Sequence, residues 1–188
     1  TEGWWRMGFD FNQIPYDYIS TQDIAKTPNL NAKWDVIVFA PGAGGQAIID
    51  GMPMWRNPMP WKNTPQTPNI GTWAQTDDMR PGLGLDGLAK LQAFVKAGGV
   101  FITSGSSAEF AINFGLTNGV STFTPPRLHV VGSLLRTKLI DDASPIAYGI
   151  IDGLAVLSDD GETYRVSATR GGGGGGGAGG GSRPPGRG

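Results

Sequence analysis

The chain has 188 residues, including 31 Gly and 14 Pro but no Cys, and its formal net charge is −1. The length suits one domain with a tail. The absence of Cys excludes disulfides, thiolate metal sites and a cysteine nucleophile. Near-neutral charge without a basic run argues against a nucleic-acid partner, and no stretch approaches the roughly 18 apolar residues of a membrane helix. We expect no cofactor and no metal site, since Asp141-Asp142 and Asp159-Asp160 lack the spaced oxygen ligands of a calcium loop.

Glycine divides the chain into two regions. Residues 171–188 hold 12 of the 31 Gly, including the unbroken run Gly171–Gly177. We therefore assign residues 1–170 to one α/β domain and residues 171–188 to an extended Gly-rich tail. The chain starts at Thr1 rather than Met, so we expect a mature or cleaved product.

Apolar patterning predicts the elements of the body. In chain order they are a helix over Trp4–Asp10, a short strand near Tyr16–Ile19, a strand over Asp35–Ala40, a helix over Leu85–Ala97, a strand over Val100–Ser104 and a helix over Ala108–Phe114. The apolar, β-branched run at Asp35–Ala40 is typical of a strand buried on both faces. Further on, the pattern predicts one or two strands within His129–Ile140, and late strands or edge hairpins at Leu154–Leu157 and Thr163–Val166.

The order of these elements favours a doubly wound, mainly parallel α/β sheet over an irregular α+β domain. Right-handed crossovers would bring the turns Gly42–Gly45 and Gly105–Ser107 to the carboxyl edge of the sheet, where such folds bind ligands. The candidate ligand-binding residues are Gly44, Gly105, Ser106 and Ser107. The first turn is not a nucleotide-binding loop, since it lacks both the GxGxxG spacing and the Lys of a P-loop.

A long insertion, Gly51–Gly84, carries six Pro and three Trp: Trp55, Trp61 and Trp73. A connection of this length in a compact domain is usually functional or forms an interface. The Trp rings either stack on sugars or pack against another subunit or the parent sheet, and packing is the favoured interpretation.

Short motifs follow one another over about residues 1–165. They are Glu2-Gly3-Trp4 with Arg6, Phe9, Pro15-Tyr16, Asp23-Ile24, Trp34-Asp35-Val36-Ile37-Val38, Gly82-Leu83-Gly84 with Gly87, Phe94-Val95-Lys96-Ala97-Gly98-Gly99, Gly105-Ser106-Ser107-Ala108-Glu109, Phe114-Gly115-Leu116, Gly132-Ser133-Leu134-Leu135-Arg136 and Ser144-Pro145-Ile146-Ala147-Tyr148-Gly149. In this order they resemble the class I glutamine-amidotransferase-like (flavodoxin-like) domain at the C-terminal side of some bacterial secreted zinc-carboxypeptidase-like proteins.

The resemblance implies a flavodoxin-like sheet and an extracellular or periplasmic location. It also implies an upstream peptidase-like segment of the same precursor. The first strand of the sheet would lie before Thr1, either in that upstream segment or in another chain that completes the sheet. The zinc ligands of the peptidase are absent from this chain.

Amidotransferases of this fold place a cysteine on a sharp strand-to-helix elbow. The matching elbow here, Thr103–Ser107, has no Cys, so the usual glutaminase chemistry is excluded. Ser106 is a weak candidate nucleophile, with His129 as its base and Glu109 as the third member. The favoured alternative is that Ser106 or Ser107 caps the following helix, with Glu109 in its first turn.

The tail predicts a role in assembly. Eighteen residues in an extended polyproline-like path span roughly 55 Å at about 3.1 Å each, so we expect the tail to reach a neighbouring subunit. The two tail arginines, Arg183 and Arg187, leave 13 basic against 16 acidic residues in the body, a net charge of −3. We expect Arg183 and Arg187 to anchor the tail on the acidic body of a neighbouring subunit, with Gly171–Gly177 and the three Trp at the contact.

These observations predict a non-catalytic, amidotransferase-like domain that acts in extracellular self-assembly as a filament, tube or other homo-oligomer. The alternative is a C-terminal accessory domain of a secreted zinc-carboxypeptidase-like hydrolase, which binds a ligand or substrate at the Gly105–Glu109 elbow.

Overall fold

The computed structural model describes residues 2–42, 45–72, 74–127, 130, 132–151, 153–158 and 163–167. Its helices are α1 (Glu2–Phe11), α2 (Thr21–Lys26), α3 (Gly45–Asp50), α4 (Gly84–Lys96) and α5 (Ala108–Asn113), with 3-10 turns at Gly105–Ser107 and Pro145–Ala147. Its strands are β1 (Val36–Phe39), β2 (Val100–Thr103), β3 (Val120–Phe123), β4 (Ser133–Arg136), β5 (Ala155–Ser158) and β6 (Thr163–Val166). No helix in these ranges has the length and apolar character needed to cross a membrane.

The described strands form three two-stranded sheets. β1 and β2 are parallel, whereas β3 pairs with β6 and β4 pairs with β5 in antiparallel register. The protein is therefore mixed α/β with small sheets. Within the described ranges only β1 and β2 are parallel, and the larger doubly wound sheet stays a prediction.

The core lies on one face of the β1–β2 pair. Phe39 of β1 meets Phe110 of α5 edge to face at 5.7 Å between ring centroids, and Phe110 contacts Phe114 at 5.1 Å. Such aromatic pairs add about 0.5–1.5 kcal/mol each to the stabilisation from area burial. The buried cluster consists of Ile24, Leu30, Ile37, Ile48, Ile49, Leu83, Leu91, Phe94 and Phe110.

Helix α4 shows how local sequence determines this packing. Leu91 and Phe94 are buried at helical spacing, and Asp86 lies in the first turn, where the helix dipole favours a carboxylate. The helix ends in a Schellman motif, in which Gly98 donates to the Val95 carbonyl and Gly99 to the Phe94 carbonyl, each over 3.0 Å. Gly98 adopts the left-handed φ of +96° that this ending requires.

The opposite face of the β1–β2 pair, which we call the open face, is partly exposed. Val36 pairs with Val100, and Val38 with Ile102, so these four side chains share one face. Val36 is 48% exposed, Val100 50% and Ile102 37%. The predicted burial of this strand on both faces is therefore incomplete in the described residues, although Val38 is partly buried and the Trp5 indole of α1 donates to the Ser104 hydroxyl at the end of β2 over 3.3 Å.

Several predicted elements are confirmed. They are α1, α4, α5, β1, β2, β5 and β6, with ends within two residues, and the stretch His129–Ile140 holds one described strand, β4. The predicted strand near Tyr16–Ile19 is wrong. That segment has no strand pairing and leads into α2, which Ser20 and Asp23 begin with a reciprocal capping box. The late strands β5 and β6 do not form a hairpin with each other, because each pairs with an earlier strand.

Candidate functional site

The predicted elbow connects the carboxyl ends of the two parallel strands. The Ser107 hydroxyl is fully buried, donates to the Phe39 carbonyl over 2.7 Å and accepts from the Ser104 N–H over 3.0 Å. It makes no capping bond to α5. The prediction that Ser106 or Ser107 caps this helix is therefore wrong, since the Ser107 hydroxyl instead ties the end of β1 to the turn after β2.

Ser106 lies on the surface of the same turn. Its hydroxyl is 3.5 Å from the Gly42 carbonyl, and Glu109 is exposed on the next turn. The left-handed backbone of the elbow falls on Gly105, with φ of +55°, rather than on the serine. His129 and Gly44 lie outside the described residues. The described part of the elbow thus supports a structural turn and holds no base for Ser106.

A concave surface lies in another part of the molecule, away from the elbow. A cavity of about 890 Å³ opens between the segment Asp17–Asp23 and the Pro/Trp-rich insertion. We call this cavity the groove. One wall carries Tyr18 and Gln22, and the other carries Trp61, Asn69 and Gln75.

The insertion that forms one wall is closed at its base. Met52 donates to the Arg80 carbonyl over 2.8 Å, and Leu83 donates to the Ile48 carbonyl over 2.7 Å. A Cβ on Gly51 would lie 1.9 Å from the Arg80 carbonyl oxygen, and one on Gly82 would lie 2.5 Å from the Gly51 nitrogen. The two glycines therefore allow the ends of the insertion to meet, which makes it a closed loop.

An ion pair organises the interior of that loop. The Arg80 guanidinium donates to both oxygens of Asp78 at 2.6–2.9 Å, and its other arm reaches the carbonyls of Trp55 and Arg56. Asp78 also accepts from the backbone N–H of Met59. Hydrogen bonds from Arg80 hold the pKa of the Asp78 carboxyl well below its usual range, and the same pair raises the pKa of Arg80.

Gln22 of α2 joins the two walls. Its side-chain nitrogen donates to the Asp78 carbonyl over 2.7 Å, and its side-chain oxygen accepts from the Thr76 hydroxyl over 3.0 Å. Thr76 also forms a two-way backbone bridge with Trp61, at 2.9 and 3.0 Å. Both the loop backbone and its connection to α2 are thus fixed by protein hydrogen bonds.

Arg6 of α1 supports Tyr18 at the opposite wall. Its guanidinium carbon lies 4.8 Å from the centre of the Tyr18 ring, within the range of a cation–π contact. Partial burial raises the pKa of the Tyr18 hydroxyl, and the nearby Glu2 carboxylate adds to that rise. Tyr18 therefore keeps its proton at neutral pH and acts as a hydrogen-bonding phenol.

The predicted tryptophans have separate positions. Trp61 lines the groove, Trp55 lies outside it, and both rings are partly exposed. Neither belongs to the described core, so the parent sheet is not their packing partner, and packing against another subunit stays a prediction. Trp73 and the tail residues Gly171, Gly177, Arg183 and Arg187 lie outside the described residues.

Sequence reasoning did not find Arg6, Tyr18, Gln22, Asn69 or Gln75 as a group. The Pro/Trp-rich composition of the insertion indicated a functional segment, which forms one wall of the groove. No pattern in the sequence indicated that Asp17–Asp23 would form the other wall. In the part of the chain that the structure describes, no three His, Asp or Glu side chains form a metal-binding cluster.

Comparison with protein-family models, curated proteins and solved structures finds no match for this chain.

Proposed function

We propose that this chain is a non-catalytic, amidotransferase-like domain that acts in extracellular self-assembly. The observation that carries the proposal is the open face of the β1–β2 pair, on which Val36, Val100 and Ile102 are each 37–50% exposed and Val38 is partly buried. Parallel strands are normally covered on both faces, because an exposed apolar face costs roughly 25 cal/mol for each Å² left in water. A second copy of the chain offers the same apolar chemistry and covers this face in a closed, symmetric contact.

The edges of the same sheet support this proposal. In the described residues β1 and β2 pair only with each other, so each strand leaves one edge for a further strand. Unpaired backbone N–H and C=O groups of this kind are a template for strand addition. We propose that a strand from another chain enlarges the pair into a doubly wound, flavodoxin-like sheet.

Helix α1 offers a second apolar surface. Trp4, Met7 and Phe11 recur at helical spacing, and all three are more than half exposed. Contiguous apolar exposure of this kind marks interaction surfaces more often than it occurs on monomers. In the proposed assembly this stripe, the exposed Trp55 and the tail that carries Arg183 and Arg187 supply further contacts around the sheet.

The elbow favours a non-catalytic domain over a serine hydrolase with Ser106 as its nucleophile. The Ser107 hydroxyl is used by Phe39 and Ser104, and Ser106 is a surface residue without a described base. A nucleophile requires an adjacent group that accepts its proton. Ser104–Ser107 also lie outside the groove.

Light scattering on the full chain tests the assembly. We expect oligomers for the parent protein and monomers for Ile102→Asp, because a carboxylate on the open face has to be desolvated when that face is covered. Leu85→Asp is the matched control, since Leu85 is an exposed leucine in the first turn of α4, away from that face. It should assemble like the parent protein.

Removal of residues 171–188 tests the tail in the same assay. Smaller or shorter oligomers are expected if the tail bridges subunits. A parent protein that stays monomeric at its solubility limit would contradict the assembly function. An Ile102→Asp protein that is folded by circular dichroism and assembles normally would contradict the role of the open face.

A further inference from the structure

The groove between Asp17–Asp23 and the Pro/Trp-rich loop has no lining residue in common with the open sheet face, the α1 stripe or Trp55. Its volume of about 890 Å³ falls within the range of about 300–1,000 Å³ that is typical of ligand sites. Its walls are held by the Gln22 bridge, the Asp78–Arg80 pair and the glycine closure at Gly51 and Gly82. A cleft fixed in this way binds without first paying the entropy of ordering its own walls.

Two aromatic rings line the groove. Tyr18 is 44% exposed and Trp61 is 42% exposed. The faces of aromatic rings carry partial negative charge and attract weakly positive C–H groups, such as those on the apolar faces of pyranose rings. The Trp61 backbone is fixed by its bridge to Thr76, and the Tyr18 ring is supported by Arg6. The backbone that carries Trp61 and the ring of Tyr18 are therefore fixed, and both rings are available as stacking surfaces.

The charges along the described lining balance. Arg6 and Lys26 are positive, and Asp17 and Asp23 are negative. The groove therefore has no excess charge to attract a polyanion or a polycation. Asp23 is engaged in the α2 capping box, and Asp17 accepts from the Trp34 indole over 2.8 Å. An uncharged polar ligand fits this balance best.

Two amides supply the polar complement. Asn69 and Gln75 are exposed, line the groove, and make no side-chain hydrogen bond to any residue that the structure describes. Each amide offers two donors and an acceptor, which matches neighbouring hydroxyl groups that both donate and accept. Aromatic surfaces, balanced charge and amides together match a chain of neutral sugar rings.

From these contacts we infer that the groove is a binding site for a neutral oligosaccharide. Trp61 and Tyr18 stack on sugar rings, and Asn69 and Gln75 bind hydroxyl groups. This site is separate from the open sheet face, so it exists whether or not the chain assembles.

Calorimetric titration of the full chain tests the site. The probes are cellohexaose, xylohexaose, mannohexaose and chitohexaose, with hexagalacturonate and a synthetic peptide of residues 179–188 as charged ligands. We expect saturable binding of at least one of the four neutral hexamers. Trp61→Ala should weaken it at least about tenfold. Trp55→Ala is the matched control, because Trp55 is also exposed in the same loop but lies outside the groove, and it should bind within about twofold.

A second variant keeps the test decisive if Trp61→Ala does not fold. The double substitution Asn69→Ala with Gln75→Ala removes two exposed amides without touching the loop closure, and it should weaken binding about fivefold or more. The inference is overturned if all four neutral hexamers bind more weakly than about 1 mM. It is also overturned if only hexagalacturonate or the tail peptide binds, or if the Trp61→Ala protein binds as tightly as the parent.

Discussion

At the scale of single residues, adjacent serines of one turn have opposite roles. Ser107 is buried and serves Phe39 and Ser104, whereas Ser106 is exposed. Ser107→Ala removes a hydrogen-bond partner from the partly buried Phe39 carbonyl and Ser104 N–H, so it should lower the free energy of unfolding by about 1–3 kcal/mol. Ser106→Ala should change it by less than about 0.5 kcal/mol. Urea unfolding of both variants measures the difference, and equal losses would contradict the structural role of Ser107.

Asp78 makes the loop sensitive to acid. Arg80 lowers the pKa of Asp78 from its ordinary value of 3.8. A carboxyl group whose pKa is lowered by folding stabilises the folded state at any pH above its unfolded-state pKa. This stabilisation is lost as the pH falls towards the folded-state pKa. The melting temperature of the parent protein should therefore exceed that of Asp78→Asn by a constant margin above about pH 5 and by a shrinking margin below about pH 4.

The neighbouring carboxylate is the control for this pH series. Asp77 is largely exposed and pairs with Lys62 at the surface, where ion pairs contribute little. Asp77→Asn should melt close to the parent protein at every pH. A margin for Asp78→Asn that stays the same from pH 7 to acid would show that the Arg80 contact does not depend on the Asp78 charge.

At the scale of elements, two glycines set the position of the whole insertion. A Cβ on Gly82 would lie 2.5 Å from the Gly51 nitrogen and the Ile49 carbonyl. Since these are backbone atoms, Gly82→Ala should destabilise the fold by about 1–3 kcal/mol. Gly8→Ala is the matched control, because nothing lies within 4 Å of its Cβ and alanine favours a helix interior by up to about 1 kcal/mol. Thermal unfolding should move in opposite directions for the two variants, and a shared direction would contradict the closure.

The same elements show what the sequence could predict. α4, β1 and β2 follow from local signals, which are the helical spacing of Leu91 and Phe94, the Gly98 ending and the β-branched runs. The pairing of β3 with β6 depends on contacts between residues far apart in the chain, so local patterning did not reveal it. Apolar residues at Tyr16–Ile19 resembled a strand, but the Ser20 capping box begins a helix directly after them.

Only part of the candidate site could be predicted, because its two walls come from segments that are far apart in the chain. Tryptophans in a long proline-rich loop indicated a functional surface, and Trp61 does line the groove. Its opposite wall comes from a segment much earlier in the chain, which Gln22 joins to the loop through contacts with Asp78 and Thr76. Tertiary bridges of this kind leave no periodic signal in the sequence.

At the scale of the whole molecule, burial is uneven along the chain. The buried cluster runs from Ile24 to Phe110, and it includes residues of α2, β1, α3, α4 and α5. In the β4–β5 pair, by contrast, Leu134 and Leu157 are both more than half exposed. Most of the packing stabilisation therefore belongs to the first part of the chain, and β4–β5 depends mainly on its own ladder of hydrogen bonds.

Hydrogen exchange on the full chain measures that imbalance directly. Amides of α4 should exchange at least about tenfold more slowly than those of β4 and β5, a difference of about 1.4 kcal/mol in opening free energy. A two-stranded ribbon with little buried apolar area opens without unfolding the core, because few side-chain contacts are lost. Dilution should leave α4 protection unchanged, since its buried face packs within the chain, whereas β1 and β2 should lose protection as subunits separate. Uniform protection across α4, β4 and β5 would instead show that the chain opens as one cooperative unit.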